Sequence, residues 1–414
     1  MVQEWKLNVD NFTLLDRLKI CKFFLSKKNR WTQGKYVREY EKAWAEYTGC
    51  KYAVMFSSGS TANSSIAQYI KHKTEDGTHK SIGSTVLVPS VTWQTSVTPW
   101  IKAGFKVKFI DITYDDFGMS AKELGLYLEE NKNKVAYVWP TSLIGFNPDV
   151  KGITEECRKH KVEYGLDNCE NAFGEVLSTA EDGDLTLKTH ICKVATSSIS
   201  TYFGHHTTSV EGGFILTDDE REYKFHLMNR SHGMTRSLTE YGIDCKLYQN
   251  NLVDPSFDFF CMGSNYRATD IEAFIGLLDF KRIEDYIETR RELYSYFAGK
   301  IDHEKFILPK FDIHNLNVPF CLPIIFKKKT ADWRAKDLVL DTKAFCAKNK
   351  IEHRQIIGGN MLRQRPYLSP FPKREQWKEY PVAEHLHNYG LYVGLNHKVK
   401  KSMISNLTEY LNNL

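Results

Sequence analysis

Lys51-Tyr-Ala-Val-Met-Phe56-Ser-Ser58-Gly59-Ser60-Thr61-Ala62-Asn63 reads as a short apolar strand that passes through a turn of small residues straight into a helix. The helical pattern continues through Ile66, Tyr69 and Ile70. Unpaired amides at a helix N-terminus, with the helix dipole behind them, make such a turn a natural seat for a phosphate. The same serines serve equally well as an ordinary N-cap.

Outward from this stretch, strand-like segments recur at Thr85–Val88, Val107–Ile110, Val135–Val138, Tyr164–Leu166 and Ile191–Ser197, with helical patterns between them. That alternation predicts an α/β fold built on a mostly parallel mixed sheet. Ligands of such sheets lie at the carboxyl ends of the strands. Upstream, helical spacing covers parts of 10–30 and Val37–Tyr47, closed by Gly49. Downstream, Asp270–Ile301 reads as one long amphipathic helix or two in tandem. It leads to a smaller C-terminal α+β part with a strand at Cys321–Phe326 and helices at Asp341–Ala347 and Lys401–Leu411. The expected division is an N-terminal segment 1–35 packing on the large domain, a large cofactor-binding domain 36–280 and a small C-terminal domain 281–414.

The chain has 414 residues, too many for one ordinary core, and a net charge of +5 spread along its length. Nucleic-acid binding gains no support from that charge. No apolar run approaches a membrane span and no signal pattern opens the chain. Nine scattered cysteines without a CxxC or CxC pair fit reduced thiols in a cytoplasm and no metal site.

Three further stretches carry chemistry. Asp167-Asn-Cys-Glu170 follows a predicted strand, where an acid can pair with a protonated ring nitrogen or simply cap a helix. Trp93 can stack on a flat ring or fill the core. Ser200-Thr-Tyr-Phe-Gly-His205-His206 precedes Glu211-Gly212-Gly213, so His205 stands six residues before the acid. Together these offer a phosphate cup, a stacking face, an acid for a ring nitrogen and a base, the set a pyridoxal phosphate site needs.

On these motifs, with Trp31-Thr-Gln-Gly34, Gly263-Ser-Asn265-Tyr-Arg267 and Gly359-Asn360-Met-Leu-Arg363-Gln364, the chain resembles the DegT/DnrJ/EryC1/StrS nucleotide-sugar aminotransferases over nearly its whole length. The resemblance implies the aspartate aminotransferase-like fold (fold type I). The family's cofactor-bonding lysine falls at His205. An imidazole cannot make that bond but can move protons near neutral pH. This substitution marks the branch of 3-dehydratases, which remove the C3 hydroxyl of a nucleotide-linked 4-keto-6-deoxy sugar, here most nearly GDP-4-keto-6-deoxymannose. The alternatives are a nucleotide-sugar aminotransferase and a non-catalytic homologue lacking the lysine. Lys193, on the preceding predicted strand, does not match the motif.

By the same resemblance, pyridoxal or pyridoxamine phosphate is the cofactor and L-glutamate the amino donor, with no iron–sulfur cluster. Gly59, Ser60 and Ser200 are expected at the phosphate, Trp93 at the ring face, Asp167 at the ring nitrogen and Glu170 beside the ring's substituents. Asn265 is expected to reach in from the second subunit of a homodimer, and His232 and Arg236 to line the sugar-nucleotide side. Two departures, Val210 for the usual glycine and the less aromatic Ile199-Ser200-Thr201, bear on the sugar more than on the chemistry.

Overall fold

The computed structural model describes residues 4–78, 84–179, 186–310, 316–327, 335–367 and 376–414. Ten strands precede the C-terminal part: β1 (Tyr52–Phe56), β2 (Thr85–Pro89), β3 (Lys106–Ile110), β4 (Val135–Val138), β5 (Glu163–Tyr164), β6 (Leu166–Asp167), the hairpin β7 (Glu175–Thr179) and β8 (Thr186–His190), β9 (Ser197–Ser200) and β10 (Gly213–Thr217). One parallel ladder runs β3–β2–β4–β5. A second runs β6–β9–β10–β1, with β10 antiparallel to both its neighbours and β6 parallel to β9.

The two ladders meet at Gly165. Its N–H donates to the Val138 carbonyl at 3.2 Å, and the Asp167 N–H to the Pro140 carbonyl at 2.9 Å. A Cβ on Gly165 would lie 2.5 Å from the Tyr137 hydroxyl, so only glycine lets the chain cross from one ladder to the other. The strand expected at Tyr164–Leu166 is therefore split between them.

The helices are α1 (Leu14–Leu25), α2 (Lys35–Thr48), α3 (Gly59–Glu75), α4 (Thr98–Lys102), α5 (Ala121–Asn131), α6 (Val150–His160), α7 (Glu220–Asn229), α8 (Asp270–Phe280), α9 (Ile283–Ala298), α10 (Ala335–Lys348), α11 (Pro381–Tyr389) and α12 (Lys401–Asn412). Gly49 ends α2 in the left-handed region at φ 72°, as its position after the last apolar residue predicts. Three buried clusters among the described residues hold the layers together; in one, Trp44 of α2 stacks on Phe173 at 5.4 Å and 14°. No helix among the described residues is long and apolar enough to cross a membrane.

Two expectations change. The strand over Ile191–Ser197 is a tight turn at Ile191–Lys193, and the strand begins only at Ser197. The His190 ring accepts the Cys192 N–H at 3.2 Å and curls the chain there. The Asp270–Ile301 stretch resolves to its two-helix alternative, because Arg282 leaves helical geometry to bond Asp16 at 2.7 Å and Asp279 at 3.1 Å.

Beyond α9, β11 (Cys321–Ile325), β12 (His353–Gln355) and β13 (Gly390–Gly394) form an antiparallel sheet in the order β11–β13–β12. The N-terminal segment is fastened to it. The Trp5 indole donates to the Gly394 carbonyl at 2.8 Å, and the Trp5 backbone is held by Lys350 and Glu352.

Candidate active site

The carboxyl ends of β1, β2, β6 and β9 open on one cavity of about 320 Å3, which β11–β13 and the N-terminal segment close from the other side. At the end of β1, Ser58 and Thr61 form a capping box over α3. The box occupies the Ser58 and Thr61 amides and leaves those of Gly59 and Ser60 without an intrahelical acceptor. A Cβ on Gly59 would stand 2.7 Å from Cys169 Sγ and 2.9 Å from Ser200 Cβ. Gly213 is equally constrained: its Cβ would meet the Gly59 nitrogen at 2.3 Å. The glycines thus let β10 press against the α3 N-terminus and keep the cup open.

Asp167 ends β6 almost fully buried. Its Oδ2 accepts from Asn63 Nδ2 at 2.8 Å and Ser96 Oγ at 2.5 Å, and its Oδ1 accepts the Cys169 N–H at 3.1 Å. Trp93, half exposed, forms part of the wall, and the turn after it is tied to the cup by Ser60 Oγ and Thr95 Oγ1 at 2.8 Å. Glu170 accepts the Ile144 N–H at 2.9 Å. Burial pushes its carboxyl up to about 8, against the pull of that hydrogen bond and with the help of the Asp167 charge.

The two histidines part company. His205 lines the cavity with a buried Nδ1 that has no partner, and its ring meets Phe320 edge-on at 5.5 Å. Burial holds the imidazole down to about 4; the Cys169 carbonyl and Asp167 pull it up and Arg290 pushes it further down. It is neutral at physiological pH. His206 instead binds the Val318 carbonyl through Nε2 at 2.8 Å and is a structural clamp. Behind them, Asp279 accepts from Thr207 Oγ1 at 2.9 Å and the Thr208 N–H at 2.8 Å, which fixes the loop's return.

Of the residues singled out from sequence, Gly59, Ser60, Trp93, Asp167, Glu170, Ser200 and His205 line this cavity. Asn265, His232 and Arg236 do not: Asn265 pairs with Ser231 in an exposed strand-like turn, and Arg236 lies over the Phe257 ring at 5.6 Å. Lys193 lies on the turn before β9, paired with Asp218 and outside the cavity. Among the described lining residues there is no lysine. Sequence reasoning passed over Ser96, three residues beyond Trp93, and also Asn8, Arg290, Phe320, Arg354 and Tyr392, which come from remote segments. Only Asn63 carried a signal, as the last residue of the small-residue turn.

A family model described as the DegT/DnrJ/EryC1/StrS aminotransferase family matches residues 23–412. The chain belongs to this family. It is 31% identical over 387 residues to GDP-4-keto-6-deoxy-D-mannose 3-dehydratase of Yersinia pseudotuberculosis, covering 92% of each chain. The structure of the Escherichia coli GDP-4-keto-6-deoxy-D-mannose 3-dehydratase with bound hydrated PLP superposes with a TM-score of 0.80 at 28% identity, over 99% of this chain and 100% of that one. A structure of GDP-4-keto-6-deoxymannose 3-dehydratase with a trapped PLP–glutamate geminal diamine gives a TM-score of 0.79 at 27% identity, over 98% and 100%. The fold is accordingly that of the type I pyridoxal phosphate enzymes.

Proposed function

We propose that this protein is a pyridoxal/pyridoxamine phosphate-dependent 3-dehydratase of GDP-4-keto-6-deoxymannose, with His205 as its acid–base group and L-glutamate as amino donor. One observation carries the reading: an imidazole with a buried, unpartnered Nδ1 lines the cavity where the family's lysine belongs, and no described lining residue is a lysine.

The residues present fit the cofactor. The Gly59–Ser60 amides and Ser200 would take its phosphate, Asp167 its ring nitrogen, and Trp93 its ring face. Bound there in its amine form, the cofactor supplies a nucleophile for the C4 ketone and an electron sink in its ring. Asp167, held by Asn63 and Ser96, keeps its carboxylate aimed by two donors from separate elements. His205, unprotonated at neutral pH, can take a proton and return it to the departing C3 oxygen. Phe320, on the turn before β11, and Tyr392 on β13 help keep water from the reacting carbon.

The same reading extends to a homodimer with shared sites. Asn265, His232 and Arg236 lie outside the chain's own cavity, and the neighbouring Leu247, Leu252 and Met262 are almost fully exposed, as a surface covered by a second copy would be. Nine free cysteines fit a reducing cytoplasm. The break between α8 and α9 at Lys281-Arg282 supports a boundary near 280 between a large and a small domain, with 1–35 as a separate segment.

The test is ammonia release from GDP-4-keto-6-deoxymannose with pyridoxamine phosphate and glutamate, run beside His205→Asn and His205→Lys. The expected product lacks its C3 hydroxyl, and the Asn variant releases no ammonia. An amino sugar from the unaltered protein would overturn the reading.

A further inference from the structure

Arg290 stands on α9 with 8% of its surface exposed. Its Nη1 donates to the carbonyls of Pro319 at 3.3 Å and Phe320 at 2.9 Å. Among the described residues no carboxylate lies within ion-pair distance of it, although an isolated buried charge is costly and is ordinarily paired. Burial pushes even its guanidinium down, to about 10.

What this cation faces is the base. Arg290 and His205 line the same cavity and also share a polar crevice with Asn8, Tyr286, Asn396 and His397. The two carbonyls that Arg290 grips belong to the turn carrying Phe320, whose ring backs His205 edge-on at 75° and His206 at 5.7 Å. His206 grips the same turn one residue earlier, at Val318. Arg290 therefore acts on His205 twice, through the ring it holds in place and through its charge.

We propose that Arg290 is a positioning residue for the dehydration step: it fixes the Val318–Phe320 turn that backs the His205 imidazole and sets its cation in the crevice beside that ring. The inference rests on His205 being the base. The other titratable groups around His205 are Asp167, Cys169 and Glu170 after β6, and Tyr202, His206 and Glu211 on its own loop. Tyr286 on α9, Arg354 on β12, Cys321 and Tyr392 on the facing sheet, and His397 complete the set. Burial opposes protonation of the ring most strongly and Arg290 adds to it, whereas the Cys169 carbonyl and Asp167 pull the ring toward protonation.

The experiment compares the full-length protein with Arg290→Gln, Arg290→Lys and His205→Asn. The His205 ring is titrated by NMR in cofactor-free protein carrying ε1-13C histidine, its signal identified by its loss in His205→Asn. The pH dependence of kcat/KM for ammonia release is measured alongside. In Arg290→Gln the His205 midpoint and the acid limb both move up by about half a pH unit or more. Arg290→Lys keeps the limb in place because it keeps the charge, but loses about tenfold in kcat because a single ammonium cannot grip both carbonyls. An unmoved midpoint in a folded Arg290→Gln overturns the proposal. If that variant does not fold, a Lys variant whose limb shifts overturns it instead, and one whose limb stays while kcat falls supports it. Should His205→Asn still release ammonia, the base assignment itself fails; an inactive His205→Asn with an unmoved Gln variant sinks only the role of Arg290.

Discussion

Ile144, Val210 and Ile357 have φ of 46°, 75° and 46°, and they are the β-branched residues in the left-handed region among those described. A β-branched side chain resists this conformation, at about 1–3 kcal/mol each. All three lie on segments that wall the cavity: Ile144 follows Leu143, Val210 precedes Glu211, and Ile357 itself lines it. The strain at Ile144 has an evident use, since it turns the amide toward Glu170 and the carbonyl toward the Phe320 N–H at 2.9 Å. Val210→Gly should stabilise the protein by about 1 kcal/mol in urea denaturation, since glycine relieves the strain at a half-exposed site. A loss of stability would mean that the isopropyl group makes contacts in the assembly. Glu170 makes a pH prediction. Its carboxyl holds its proton to about 8 when folded, against an ordinary 4.5, so the stability it contributes is whole below 4.5 and is lost as pH rises through 8. Glu170→Gln should match the parent protein near pH 4.5 and exceed it by a few kcal/mol at pH 8–9. Urea midpoints that stay parallel across that range would refute the buried-carboxyl argument.

At the scale of elements, the site depends on backbone meeting backbone. The approach of β10 to the start of α3 is possible only because Gly213 and Gly59 lack Cβ atoms. Gly59→Ala would push against Cys169 and Ser200 on the floor of the cup, so its expected effect is at least tenfold weaker binding of pyridoxamine phosphate with the fold retained. Equilibrium dialysis would check this. The His205 loop is anchored differently, through the fully buried Asp279, which joins Thr207 and Thr208 to Arg282 and Tyr286, and through Arg282 to Asp16 of α1. Burial opposes ionisation of Asp16, but hydrogen bonds from Thr13 and Arg282 outweigh it and hold that carboxyl at about 2. Asp279→Ala leaves Arg282 and two loop donors short of an acceptor and should cost about 3–5 kcal/mol in chemical denaturation. A cost under about 1 kcal/mol would show that the loop is held by other means.

The whole molecule brings the N-terminal segment and the C-terminal sheet over the strand ends. Trp5, fixed on β13, delivers Asn8 against Gly204, where a Cβ would lie 2.8 Å from the amide side chain. Within a single chain Asn265, His232 and Arg236 lie outside the cavity. If a second copy supplies them, His205→Asn and Asn265→Ala, each inactive alone, should complement when unfolded and refolded together. Random pairing leaves one intact site in half of the dimers, so roughly a quarter of full activity should return. Absence of any recovery, with mixed dimers demonstrated, would exclude sharing of the site through Asn265.

Local pattern determined much of this protein. The strand, small-residue turn and helix of 51–75 follow from periodicity and capping, which act over a few residues, and the histidine at 205 is legible from its spacing to Glu211-Gly212-Gly213. The glycine usual at position 210 is explained by a φ of 75° that any residue there must adopt. The crossing of 163–167 between two ladders left only a glycine as its sign, because pairing partners are chosen by the whole sheet. The sequence could not tell His205 from His206 by residue type. Only the packing of Val318 and Phe320 leaves one ring lining the cavity and makes the other a clamp. Arg290, in the middle of an amphipathic helix, looked like an ordinary helix residue. Its burial and its place beside the imidazole depend on a turn nearly thirty residues away, and contacts at that range are set by tertiary structure, not by local pattern.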